Sequence, residues 1–375
     1  MRTTEEVQND LLRLLSVPSP SGNERRVAEL IAELFGDIGL HCELDNAGES
    51  IGGDCGNISA RVPGNRSDVP PLLLNAHMDT VVPCEGVNPE VREGVIYSDG
   101  NTVLGGDDKT GVITIIEVAR ELLTGEIPHG DIEIVITVAE ETGLHGAFGL
   151  DTRLLRARHA FVFDGSWPFR VTIAAPSQEN LSVTIHGKAA HAGVHPEDGI
   201  SAILLASQAI SQMKLGRIDE ETTANVGVIQ GGRATNIIPD TVELQCEARS
   251  RDRGKLDAQI AHMRTTFEKV ASVAGGRAEI EITPKYEAYR IDTSDLLCQC
   301  VMKAAATLGV EPVFQESGGG SDANVFNHRN IHSVVVGCGQ QNIHTTAERI
   351  NMDHVMLSIR NAVELVRSFS ELAQP

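Results

Sequence analysis

The sequence predicts an α/β main domain, a mixed β-sheet flanked by helices, interrupted by an inserted α+β unit. Three observations predict it. Short apolar runs alternate with amphipathic helical patterns in the first third of the chain, and the same alternation returns near the C-terminus. The middle reads instead as strand, helix, strand, strand, helix, strand, a ferredoxin-like βαββαβ order. At 375 residues the chain is also too long for one ordinary domain. The expected organisation is residues 1–177 and 287–375 as two parts of one domain, with residues 178–286 inserted between them.

Each element follows from its local pattern. "EVQNDLLRLLSV" and "NERRVAELIAELFGDIGL" repeat apolar residues at helical spacing around the turn "PSPSG". "PPLLLNAHMDTV" is a short apolar run, as for a buried strand, and "GVITIIEVARELL" is a helix. "DIEIVITVAEE" and "HAFVFDG" are strands. In the middle, "LSVTIHG", "TANVGVIQGG", "TVELQCEARS" and "AEIEITPKY" are strands. The helices between them are "EDGISAILLASQAISQM" and "KLDAQIAHMRTTFEKVASV". "IHSVVVGCG" is a late strand and "NMDHVMLSIRNAVELVRSF" a closing helix.

Composition excludes several classes. Lys+Arg 31 against Asp+Glu 52 gives a net charge of −21, which argues against nucleic acid or an anionic membrane as partner. No apolar run approaches the ~20 residues that span a bilayer, and "MRTTEEVQNDLLRLL" is an acid-containing helix pattern, not a secretory signal. The seven cysteines, Cys42, Cys55, Cys84, Cys246, Cys298, Cys300 and Cys338, are scattered and form no CxxC pair. We expect all seven to be buried small hydrophobes in a reducing cytoplasm.

The acidic and histidine residues carry the chemistry. His77 and Asp79 follow the apolar run. Residues i and i+2 of a strand face the same way, so Asp79 can fix the His77 tautomer, as partners of metal-binding histidines do. Asp107 opens a helix after a glycine turn in "LGGDDKTG"; Glu140 and Glu141 end a strand; Asp164 ends "AFVFD"; His344 follows "SVVVGCGQQNI". All fall at C-terminal strand ends or at the starts of the helices that follow, where open α/β sheets bind ligands. Two histidines and several carboxylates without a thiolate suit Zn²⁺, Mn²⁺ or Co²⁺ in a hydrolytic site. Five residues fill the six positions of two three-ligand ions if Asp107 bridges, and two cations would remove the repulsion between Asp107 and Asp108. Asp108 is then expected to shape the turn or pair with Lys109. Adjacent residues of an extended chain point apart, so Glu141 is assigned to the metal and Glu140 to general base and acid catalysis.

The motifs "HMDTV", "GGDDKTG", "AEETGLHGA", "FDG", "HGKAAHAGVHPEDG", "GGRATNIIPDT", "GGGSDANVF" and "HTTAERI", in that order, resemble the M20 family of co-catalytic zinc peptidases over nearly the whole chain. The "DDK" form is similar to the peptidase T (tripeptide aminopeptidase) branch. The resemblance implies that His77 and Asp164 hold one zinc, Glu141 and His344 the other, and that Asp107 bridges. It also implies a lid in which His191 reaches toward the reacting carbonyl, often from a partner subunit, while Asn236 and Arg249 contact the substrate. For Arg249 a strand-end salt bridge is the competing expectation. The loop 316–326 lacks the Lys and Ser/Thr of a phosphate-binding loop. It is read as a nest of backbone N–H groups, with Gly319 and Ser321, for a peptide carboxylate or main chain.

The reading is therefore a cytoplasmic exopeptidase with two Zn²⁺ per subunit, an aminopeptidase on short peptides, with a homodimer through the lid. The alternatives are an N-acyl-amino-acid deacylase or carboxypeptidase on the same scaffold, or a non-catalytic metal- or peptide-binding protein. Glu140 counts against the last, since a binder needs no base. A two-metal phosphoesterase is disfavoured by the ligand order and by the lack of a basic phosphate clamp.

Overall fold

The computed structural model describes residues 1–373, which divide into two compact units. The first comprises residues 1–174, 290–316 and 321–373; the second comprises 175–289 and 317–320.

The first unit is built on a mixed sheet. Its centre is four parallel strands in the order Ile132–Thr137, Leu72–His77, His159–Phe163, His332–Val336. Antiparallel Ile58–Val62 and Cys42–Leu44 extend one side. Every residue of Leu72–His77 and of Ile132–Thr137 is buried, as strands covered on both faces require, and this is why they read as mainly apolar runs. The helix Gly106–Leu122 is buried nearly all round. Met352–Leu372 packs against it and against Leu296–Leu308. Because the four central strands run in one direction, their C-terminal ends share one edge. That edge carries His77, the segment after Thr137, and Asp164.

A second, small sheet was not legible in the sequence. It orders Gln340–Gln341, Arg349–Asn351, Val95–Tyr97 and Glu90–Arg92, all antiparallel. Its first pair is a hairpin whose loop carries His344.

The second unit is an antiparallel sheet in the order Gly216–Arg217, Thr222–Gly231, Thr241–Ser250, Ser177–His186, Arg277–Tyr286. The helices Ala202–Gln212 and Arg253–Val273 pack on it. Ser177–His186 alternates buried and more exposed residues, so one face supplies Leu181, Val183 and Ile185 to a core with Leu205, Leu256, Met263 and Phe267. Ser201 and Asp252 cap the two helices through Leu204 N and Lys255 N.

All seven cysteines are free thiols; six are buried, but Cys42 is half-buried because its short strand lies at the sheet's end. No helix of the described residues is long and apolar enough to cross a membrane.

Candidate metal centre

The centre begins with the Gly105–Asp108 turn. Gly105 has φ +76°, a conformation that favours glycine. A Cβ on Gly106 would stand 2.9 Å from Ile350 Cδ1 and 3.0 Å from Glu348 Oε1. Asp107 does not open a regular helix as expected: it and Asp108 depart from helical φ/ψ, and the peptide between them is cis. Asp108 shapes the turn and does not pair with Lys109. Its carboxylate accepts from His77 N (3.2 Å), Gly111 N (3.1 Å), Gln340 Nε2 (2.9 Å) and Cys338 Sγ (3.3 Å). Lys109 is buried with its Nζ donating to Val17 O at 2.6 Å, and burial lowers its pKa to about 8.

Asp107 lies between two donor groups. His77, Asp107 and Asp164 form one, and Asp107, Glu141 and His344 the other; within each group the ligand atoms all lie within 4.8 Å of one another. His77 Nε2 is 3.2 Å from Asp107 Oδ1, and His344 Nε2 is 3.3 Å from Asp107 Oδ2 and 3.0 Å from Glu141 Oε1. The two oxygens of Asp107 thus face different histidines, the geometry a bridging carboxylate needs. A third acidic group, Glu24, Asp54 and Cys55, has similar spacing. It is already engaged structurally, since Glu24 accepts from Ala139 N (3.0 Å) and Asp54 from Arg25 N (3.0 Å).

Asp79 does more than orient His77. The His77 Nδ1 lies 3.0 Å from the Asp79 main-chain oxygen and 3.3 Å from its Oδ1. The same carboxylate accepts from Glu140 N (2.9 Å), Glu141 N (3.2 Å) and Ser21 Oγ (2.6 Å). Glu140 and Glu141 do not end the strand, contrary to expectation: it stops at Thr137, and the two glutamates lead into a turn. Ala139 has φ +49°, and the carbonyl of Glu140 accepts from Gly143 N and Leu144 N in a turn. Their side chains still separate: Glu141 meets His344, while among the described residues no donor reaches the Glu140 carboxylate.

The electrostatics follow from crowded, buried carboxylates. Burial, reinforced by the charges of Asp164, Asp322 and Glu141 against the opposing pull of His77, holds the Glu140 carboxyl well above the usual range. Burial and Asp107 likewise raise Asp164. Burial acts on Asp107 too, but hydrogen bonds from His344 and His77 outweigh it and hold its carboxyl low. Burial would lower His77, yet Asp107 and Asp79 raise it well above the ordinary value. Hydrogen bonds to Asp107 and Glu141 raise His344 to about 10. Such a cluster holds protons where it would otherwise hold cations.

The remaining expected residues fall elsewhere. His191 and Asn236 are exposed in the second unit, on segments joined by a hydrogen bond from Ala192 N to Asn236 O (3.0 Å). Gly193 N donates to His191 Nδ1 (3.2 Å), which leaves the ring proton on Nε2. Arg249 makes the salt bridge, a two-pronged contact with Glu247 at 3.1 and 2.9 Å. A Cβ on Gly319 would stand 3.9 Å from its Nη1. The nest of free N–H groups is not formed. Gly319 N donates to Ser317 Oγ, Gly320 N to Tyr286 OH and Ser321 N to Asn324 Oδ1, because a capping box at the helix Asp322–His328 uses the last. Sequence reasoning also missed Gln340, whose Nε2 reaches Asp107 and Asp108, and Glu348, whose carboxylate accepts from Asp107 N.

The chain resembles known proteins over its whole length. It is 38% identical to the YqjE protein of Bacillus subtilis (strain 168), covering 98% of this chain and 99% of that one. Its structure matches the tripeptidase of Staphylococcus aureus Mu50 with a TM-score of 0.93 at 39% identity, covering 99% of this chain and 100% of that one. It matches the aminopeptidase PepT of Bacillus cereus ATCC 10987 with a TM-score of 0.88 at 38% identity, over 98% and 99% of the two chains. The sequence pattern of peptidase family M20/M25/M40 matches residues 73–368. With its strand-end donor groups joined through Asp107, the chain belongs to peptidase family M20/M25/M40.

Proposed function

We propose that this peptidase is a two-zinc aminopeptidase that removes the N-terminal residue of tripeptides. The single observation that carries the reading is Asp107, one carboxylate shared by two groups that each add a histidine and a second carboxylate. The donor set fits divalent ions: its carboxylates, Asp107, Asp164 and Glu141, outnumber its two histidines, and no thiolate takes part. Zinc is the assigned ion, with Co²⁺ or Mn²⁺ as substitutes. His77, Asp107 and Asp164 would hold one ion and Asp107, Glu141 and His344 the other. Bound there, two such ions supply Lewis-acid polarisation of the peptide carbonyl and acidify the attacking water.

The protein's own residues supply the rest. Glu140, with its raised pKa and unengaged carboxylate, takes the proton of the attacking water and delivers it to the leaving amine. Asp79 holds the Glu140–Glu141 turn and the His77 tautomer. His191 presents an Nε2–H, the donor a developing oxyanion needs. Asn236, Arg249, Gly319 and Ser321 are assigned to the peptide, the last two through groups other than their engaged main-chain amides. Apart from the two-residue strand Gly216–Arg217, the second unit keeps a βαββαβ order, which supports reading it as the ferredoxin-like lid, residues 178–286, through which two copies pair. The free thiols support a cytoplasmic location.

The test is a peptide panel with zinc-loaded protein. Free tripeptides should be cleaved with release of the N-terminal residue, and N-acetylated tripeptides poorly. Equal cleavage of the acetylated peptide would replace this reading with the deacylase or carboxypeptidase alternative.

A further inference from the structure

The segments that carry Asp107 and His344 come from parts of the chain more than 200 residues apart, yet both must supply ligands to one group. One side chain joins them. Glu348, four residues beyond His344 on the same hairpin loop, is 1% exposed. Its Oε2 accepts from Leu104 N (2.7 Å) and Gly105 N (2.8 Å), and its Oε1 accepts from Asp107 N (3.0 Å). These N–H groups precede or begin a helix, so they lack intrahelical partners, and a carboxylate is the strongest acceptor available to them. Glu348 is in turn fixed by its own backbone: its N–H donates to Thr345 O (3.1 Å) and its carbonyl accepts from Ser98 N (3.2 Å). The Gly106 backbone lies close against it, so that a Cβ there would stand only 3.0 Å from Oε1. Glu348 belongs to neither donor group.

We infer that Glu348 is a positioning residue that locks the Asp107 segment to the His344 segment and so sets the geometry of the Asp107, Glu141 and His344 group. The inference rests on reading that group as half of a two-metal centre. Two of its three ligands stand on segments that Glu348 joins, whereas only Asp107 of the His77, Asp107 and Asp164 group does. Loosening the lock therefore acts unequally on the two groups.

The experiment titrates zinc into metal-free protein and measures both binding steps by calorimetry, with elemental analysis of the product. Wild type must first bind two equivalents; a single equivalent would reject the two-metal reading itself. His344→Ala then identifies the equivalent that belongs to this group. Glu348→Gln keeps the shape but replaces one accepting oxygen with a donor, so at least one N–H loses its acceptor. Partners that orient metal ligands typically affect affinity by about 10- to 100-fold. The His344-dependent equivalent should weaken by that factor, with a clearly smaller change in the other, a kcat that excess zinc restores, and a nearly unchanged KM. Unchanged affinities, or equal weakening of both equivalents, would overturn the inference, the latter because it signals general loosening. Glu348→Asp, which keeps the charge but is too short to span both segments, should fall in the same direction. Should neither variant fold, hydrogen exchange on the wild type decides. Zinc should slow residues 104–107 and 343–348 together, and a response in one segment alone would overturn the inference.

Discussion

Replacing Asp79 by asparagine tests the architecture behind the metal ligands. The Asp79 carboxylate is fully buried and has four donors around it: Glu140 N, Glu141 N, Ser21 Oγ and His77 Nδ1. Asparagine has one accepting oxygen. In its better orientation the amide nitrogen replaces Oδ2, where Ser21 can turn to accept, but Glu141 N loses its partner. An unsatisfied buried N–H costs about 1–3 kcal/mol, and weakening the two remaining bonds from a charged to a neutral acceptor removes about 1 kcal/mol each. Removing one negative charge from a crowded cluster offsets part of this, so the net loss is on the order of 2 kcal/mol. Urea unfolding of metal-free Asp79→Asn should show it. With zinc the difference should grow, because the freed Glu141 segment carries a ligand, and kcat/KM should fall tenfold or more. A folded Asp79→Asn protein with wild-type stability and wild-type zinc affinity would refute this account of Asp79.

Three further outcomes follow from the same geometry. Glu140→Gln should retain the bound metal yet lose on the order of a hundredfold or more in turnover, since general base catalysis contributes that much; elemental analysis beside steady-state kinetics checks it. Gly111→Ala should unfold at a lower temperature and bind less zinc, because its Cβ would stand 2.2 Å from Phe163 O and 2.6 Å from both Asp108 carboxylate oxygens. Glu24 is buried and its pKa is raised to about 7 from 4.5, chiefly by burial. A folded pKa above the unfolded one means that its contribution is fully present below about pH 4.5 and lost as pH rises through about 7. At about 1.4 kcal/mol per pH unit, that window corresponds to on the order of 3 kcal/mol. Glu24→Gln, which keeps an oxygen for Ala139 N, should flatten this part of the stability profile, and an unchanged slope in urea unfolding at pH 4.5 to 7.5 would contradict it.

The strands that place the ligands were legible because both of their faces are buried. "LLLNAH" and "IEIVIT" could be recognised as strands from apolar runs alone, and strand-end position then singled out His77, Glu140, Glu141 and Asp164. Legibility ended where contacts depend on the third dimension. Glu348 meets Asp107 N across 241 positions and Gln340 meets Asp108 across 232, and no local pattern announces either. The small sheet was invisible because its strands are two or three residues long, too short for a period of two to register. The lysine beside the acidic pair invited a salt bridge by proximity, but the turn sends it to Val17 O. The glycine-rich loop suggested free amides, and only the folded chain brings Tyr286 and Asn324 to occupy them.

The central claim is that Asp107 serves two metal ions at once, and metal stoichiometry tests it most directly. Metal-free protein loaded with zinc, freed of excess and analysed for metal should hold two equivalents per chain, and Asp107→Asn should weaken both. One equivalent in the wild type, or an Asp107→Asn protein that loses one equivalent and keeps the other at full affinity, would contradict the bridging role on which the proposed function rests.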